Sequence, residues 1–113
     1  MIDGIGIDVV DIARFIESLE RTPNLAEKLF TESERTQTPQ SLAARFAAKE
    51  ALYKALSPER GLHWHDAEII NQLNGKPEFL FRGDIALLVD GAKVHLTLSH
   101  DAGIASAMVV IER

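Results

Sequence analysis

Between Ile2 and Val10 the chain alternates: Ile5, Ile7 and Val9 fall on one side of an extended segment, Gly4, Gly6 and Asp8 on the other. A period of two in a stretch this rich in β-branched residues predicts a β-strand. Its glycine side leaves a bare strip of backbone that another element or a ligand can approach closely. The spacing then changes. Asp11 stands where an N-cap belongs, ahead of Ile12, Phe15, Ile16 and Leu19 at helical intervals, and Pro23 ends that helix. After a break at Thr38-Pro39, residues 40–56 carry the strongest helical signal, closed by Ser57-Pro58. The second half reads as mostly β. Strands over 67–73 and 78–81 flank the turn Asn74-Gly75-Lys76-Pro77, Asp84 caps a short helix through Leu88, and Asp90-Gly91 makes another turn. A last hairpin pairs 94–99, with Leu96 and Leu98 inward, with 104–111. The order β-α-α-β-β-α-β-β predicts an α+β fold with a largely antiparallel sheet.

Length and charge narrow the function. At 113 residues the chain is the size of one domain, spanning 1–113. A domain this small buries only roughly 60–65% of its unfolded surface, so sharing a core with neighbouring subunits is expected. The net charge of −5 argues against a nucleic-acid binder driven by counterion release. With no cysteine, a disulfide scaffold, a thiolate zinc site and a thiol nucleophile are excluded. No apolar run approaches the ~20 residues of a membrane span, and Met1-Ile2-Asp3-Gly4 lacks the basic start of a signal peptide, so a cytoplasmic location is expected.

The long helix holds the most chemistry. Over 42–56 it carries six alanines and five larger apolar residues around four charges, Arg45, Lys49, Glu50 and Lys54. A helix apolar on nearly every side is buried, so its charges must pair, hold an ion or face a cleft. Glu50 and Lys54 are spaced i,i+4 and could be no more than a helix salt bridge. Asp8, at the end of the glycine-faced strand, could likewise be a turn residue, except that Asp11 is already available to cap. A strand carboxylate set against a helix carboxylate makes a hard-cation site of the kind that holds Mg²⁺ together with substrate phosphate. In Asn74-Gly75-Lys76-Pro77 the glycine can admit a ligand to backbone N–H groups and the lysine can supply charge to a phosphate; otherwise it is a plain hairpin turn. Ser99-His100 at a strand end is equally open. His63-Trp64-His65-Asp66 offers alternating imidazoles, but no distant third zinc ligand accompanies them.

Four blocks taken together resemble a known family: residues 4–14 (Gly4-Ile5-Gly6-Ile7-Asp8 through Arg14), residues 45–55 (Arg45-Phe46-Ala47-Ala48-Lys49-Glu50 through Ala55), Asn74-Gly75-Lys76-Pro77, and His95-Leu96-Thr97-Leu98-Ser99-His100. In this order they resemble the holo-[acyl-carrier-protein] synthases, the small bacterial class of 4′-phosphopantetheinyl transferases, nearly end to end. One difference is the loop after the long helix, Ser57-Pro58-Glu59-Arg60-Gly61, which is less glycine-rich than the family's. The resemblance implies the phosphopantetheinyl transferase fold, with the long helix packed on the sheet. It implies transfer of the phosphopantetheine arm of coenzyme A to a serine of acyl carrier protein, in fatty acid biosynthesis, with release of adenosine 3′,5′-bisphosphate. It further implies Mg²⁺ on Asp8 and Glu50, and Lys54 beside the leaving phosphate. Arg45, Lys49, Gly75, Lys76, Pro77, Ser99 and His100 would hold the nucleotide end, while Arg14 and Arg21 would meet the acidic carrier. Homotrimers with sites between subunits are expected. For the attacking serine's proton, Glu50 and a metal-bound water both remain open as acceptors. Two other classes, a non-catalytic CoA-binding module and an oligomerisation domain, account for fewer of these residues: a binder has no need of the Asp8–Glu50–Lys54 group, and a scaffold has no use for Ser99-His100.

Overall fold

The long helix finds its place on the sheet because two glycines let it. In the computed structural model, which describes residues 1–58 and 61–113, β1 (Ile2–Asp11) is followed by α1 (Ile12–Arg21), α2 (Leu25–Leu29) and α3 (Pro39–Leu56). Then come β2 (Ala67–Asn71), β3 (Pro77–Phe81), α4 (Gly83–Leu88), β4 (Lys93–Asp101) and β5 (Ile104–Glu112). A Cβ on Gly4 would lie 2.1 Å from the Ala55 carbonyl oxygen, and one on Gly6 would lie 1.8 Å from that of Ala51. Only a strand bare at both positions allows α3 to come this close.

β1, β5 and β4 form one antiparallel sheet in that order, and β2 and β3 form a second, separate antiparallel pair. The registers Gly6–Val109–Leu96 and Asp8–Ala107–Leu98 put these residues on the face toward α3. Ala47, Ala51, Leu52 and Ala55 of α3 meet Ala107, Val109 and Ile111 of β5 there, with Ile69 and Ile85 closing the core. On the other flank of α3, Phe15, Leu29, Phe30, Leu42 and Ala43 form a second cluster. Phe46 stacks on Phe15 at 5.0 Å between ring centres. Packed from both sides, α3 has no single apolar stripe. Its start is fixed by Thr38, whose hydroxyl accepts from the Ser41 N–H, and by Pro39 at the first turn. Asp11 caps α1 through the Arg14 N–H, as its position predicted.

Three features depart from the sequence reading. α2, a single five-residue helix, adds one element to the expected order. The expected sheet is two sheets. At α4 the N-cap position is held by Arg82 rather than Asp84, which falls in the first turn. The apolar side of β1 points away from the core: Ile5, Ile7 and Val9 are 58%, 60% and 65% exposed, beside Met108 on β5. Of the glycine-poor loop, Glu59 and Arg60 lie outside the described residues.

Candidate active site

The close approach of β1 and α3 decides what faces what. Asp8 leaves the inner face of β1 directly opposite the middle of α3, where Glu50 stands. The Glu50 carboxyl is pushed above the ordinary glutamate value, first by burial and then by the Asp8 charge, with Lys54 opposing. Among the described residues the Glu50 carboxylate makes no hydrogen bond. The Lys54 ammonium turns to the strand, donating to Asp8 Oδ1 at 3.0 Å and to the Ile7 carbonyl at 2.8 Å. The i,i+4 spacing therefore does not produce the simple helix salt bridge; Lys54 ties α3 to β1 and answers the Asp8 charge. Asp8, Glu50 and Arg14 line one cleft of about 320 Å³ with Asp11, Phe15 and Phe46. Two half-buried carboxylates, one of them without a hydrogen bond and raised by burial and then by the other's charge, form a hard oxygen donor set of the kind Mg²⁺ takes from a protein. No group of three or more His, Cys, Asp or Glu able to hold a metal occurs among the described residues.

A second cleft, of about 340 Å³, opens on another flank of α3. Ser41 and Arg45 of the helix meet Ile69 and Asn71 of β2, the Gly75-Lys76-Pro77 turn, and Leu96, Thr97 and Leu98 of β4. Arg45 is 4% exposed; its Nε donates to Ser41 Oγ at 3.3 Å and its Nη1 to the Ile69 carbonyl. The turn differs from the expectation in one respect. The Gly75 N–H donates to Gln72 O at 2.8 Å and the Lys76 N–H to Asn74 Oδ1 at 2.9 Å. Pro77 has no N–H. The turn thus spends its amides on its own closure, with Gly75 at φ +85°, and offers a ligand the Lys76 ammonium instead. The two clefts share no lining residue.

Lys49 requires a correction. Expected among the nucleotide contacts, it is 1% exposed. Its three ammonium protons go to Glu34 Oε1 at 2.7 Å, Leu29 O at 2.8 Å and Trp64 O at 3.1 Å. No donor is left for a ligand. Burial pushes its pKa down, and Glu34 pushes back. Glu34, also 1% exposed, is the residue the sequence reading missed. Its signal was Thr31-Glu32-Ser33-Glu34, a capping-box pattern: the Thr31 N–H donates to Glu34 Oε1 at 3.1 Å and the Glu34 N–H to Thr31 Oγ1 at 3.3 Å. Ser99 and His100 are exposed at the end of β4, opposite Ser106 and Ala105, outside both clefts. Arg21 is exposed two turns beyond Arg14, beside Glu17 and Glu20. The His63 and His65 rings turn to local work: His63 Nδ1 accepts from the His65 N–H, and His65 Nε2 bonds Glu27 O at 2.6 Å.

The chain belongs to the 4′-phosphopantetheinyl transferase superfamily, whose model matches residues 4–106. Within that superfamily its relatives are holo-[acyl-carrier-protein] synthases. The protein of that name from Leifsonia xyli subsp. xyli is 55% identical over 116 residues, spanning all of this chain and 98% of that one. Among solved structures, the holo-[acyl-carrier-protein] synthase from Neisseria meningitidis superimposes with a TM-score of 0.87 at 32% identity, each chain fully covered. The synthase from Bacillus anthracis, solved in complex with CoA (3′,5′-ADP), gives 0.82 at 34% identity, covering 99% of this chain and 97% of that one. The expected α+β transferase fold is the one these structures share.

Proposed function

We infer that this chain, as a single domain, transfers the 4′-phosphopantetheine group of coenzyme A to a serine of apo acyl carrier protein, giving the holo carrier and adenosine 3′,5′-bisphosphate. The observation that carries the finer reading is the Asp8–Glu50 pair lining one cleft with Arg14, and Lys54 bonded to Asp8. A non-catalytic CoA binder has no use for two carboxylates held against each other at a cost in Glu50 ionisation. When bound by Asp8 and Glu50, Mg²⁺ supplies charge neutralisation at the pyrophosphate.

The chain's own residues do the rest. Lys54, anchored on Asp8 and half-exposed, meets the charge that builds on the leaving phosphate as the serine Oγ–phosphorus bond forms and the pyrophosphate bond breaks. Two acceptors stand for the serine proton: Glu50, whose carboxylate has no hydrogen-bond partner among the described residues, and a water in this cleft. Arg45 and Lys76 bring positive charge to the second cleft, where the nucleotide end of CoA binds, with Ser99 and His100 reaching it from the neighbouring subunit. Arg14 and Arg21, both exposed on α1, face the acidic carrier.

The separation of the clefts supports a site completed between subunits, and the exposed Ile5-Ile7-Val9-Met108 face supports an assembly, a homotrimer in this reading. The setting is fatty acid biosynthesis in the cytoplasm; no helix among the described residues is long and apolar enough to cross a membrane. Complementation tests the sharing. Lys76→Ala and Glu50→Gln are each expected to lose most activity. If each site takes one half from each of two chains, random co-assembly of the two variants restores roughly one site in four. Activity that stays at the level of the separate variants would show that each site lies within one chain.

A further inference from the structure

Glu34 takes no part in the chemistry above, yet it sits at the centre of the molecule's buried charges. Its Oε1 accepts from Lys49 and from the Thr31 N–H, and its Oε2 accepts from the Ile69 N–H at 3.1 Å. The same Ile69 gives its carbonyl to Arg45 Nη1, which lies 4.0 Å from Glu34 Oε2. β2 has a strand partner on one side only, β3. At Ile69 its other edge is therefore met by two side chains, one acid and one guanidinium, where a third strand would otherwise be needed.

This clamp bears on the second cleft. Every buried side-chain nitrogen and oxygen among the described residues has a partner, and Arg45 bonds through Nε and Nη1 alone. Nη2 thus keeps solvent access, and Arg45 lines the cleft it shares with Lys76. A guanidinium is a planar fork, so fixing Nε on Ser41 and Nη1 on Ile69 fixes where Nη2 aims. We propose that Glu34 is a positioning residue for phosphate binding in this cleft: by holding the Ile69 edge and facing Arg45 Nη1, it keeps Arg45 Nη2 turned toward a bound nucleotide phosphate. The proposal rests on reading this cleft as the CoA nucleotide site. The plainer role, counterion to Lys49, is real but leaves the Ile69 bond and the Arg45 approach unused.

The two roles separate in the right variants. Glu34→Gln alone strands the Lys49 charge in the core and is expected to be severely destabilised. Glu34→Gln/Lys49→Met removes both charges at similar volume and is expected to fold. With Mg²⁺ and apo carrier protein saturating, this double variant should show a KM for CoA raised about tenfold and kcat within about twofold of wild type. The KM for the carrier should not move. Arg45→Met alone should raise the CoA KM at least as far, and adding it to the double variant should bring no further rise, because Glu34 acts through Arg45. A second variant guards against misfolding: Glu34→Asp keeps the charge beside Lys49 but draws the carboxylate back from Ile69, and its CoA KM should also rise. A wild-type CoA KM in either the folded double variant or Glu34→Asp overturns the proposal, as does full multiplication of the Arg45→Met effect in the triple variant. An unchanged CoA KM in Arg45→Met alone overturns instead the assignment of this cleft to the nucleotide.

Discussion

Gly6→Ala adds one methyl group at the point where the account is most exposed. That methyl would stand 1.8 Å from the Ala51 carbonyl oxygen, 2.8 Å from its carbon and 2.9 Å from the Ala55 nitrogen, all backbone. No side-chain rotation relieves it, so β1 and α3 must part by about 1.2 Å to reach even a 3.0 Å contact. Overpacking of this kind costs about 1–3 kcal/mol, and for a domain near this size that lowers Tm by roughly 5–15 °C. The same separation draws Asp8 away from Glu50, and a displacement of about 1 Å at reacting groups costs on the order of 100-fold in rate. Thermal unfolding by circular dichroism at fixed protein concentration, with initial rates of carrier modification, reads both effects. Gly61→Ala, with nothing within 4 Å of its added methyl among the described residues, is the control and should stay within about 0.5 kcal/mol of wild type. A Gly6→Ala protein with wild-type Tm and wild-type kcat/KM would refute the argument that this glycine sets the spacing of the two carboxylates.

Glu50→Gln should abolish turnover while leaving the fold at least as stable at pH 7. The native Glu50 pKa lies above its unfolded value, so the folded state holds more protons in that window and wild-type stability falls as pH rises through it; the advantage of Gln should vanish below about pH 4. Added Mg²⁺ should raise the Tm of wild type and not that of Glu50→Gln or Asp8→Asn. Arg14→Asp/Arg21→Asp should leave Tm and the CoA KM unchanged and raise the carrier KM about tenfold or more at low salt, with the gap closing as salt rises; equal carrier KM values at low salt would move the docking face elsewhere. Ile7→Asp, at the middle of the exposed sheet face, should give a folded monomer by light scattering, and an undissociated variant would remove that face from the assembly.

What could be read from the sequence, and what could not, follows from where periodicity carries phase. β1 alternates, so its two faces are separable in the sequence, and the bare side is the one α3 approaches. Asp11 and Thr38-Pro39 announced their helices through local capping chemistry, which needs no tertiary context. α3 is the opposite case. Because it is buried on both flanks, its apolar residues define no face, and nothing in the pattern says which of the adjacent Lys49 and Glu50 looks inward. Lys49 went to the core and Glu50 to the cleft, a distinction made by partners 15 residues before it and across the strand. The β2 edge was invisible for a related reason: Glu34 and Arg45 replace a strand there, and side-chain substitution for a ladder leaves no period. In the 72–76 turn, residue chemistry gave the turn but not the use of its amides, which Gln72 and Asn74 take.

The central claim is that this chain moves a phosphopantetheine group, and intact mass measurement of the acceptor tests it most directly. Purified chain, CoA and Mg²⁺ are mixed with apo acyl carrier protein, and carrier and nucleotide are followed together. The account predicts that the carrier gains one phosphopantetheine group on a serine, that adenosine 3′,5′-bisphosphate appears one for one, and that neither happens with Glu50→Gln. A carrier of unchanged mass beside intact CoA, with the chain folded and binding CoA, would contradict it.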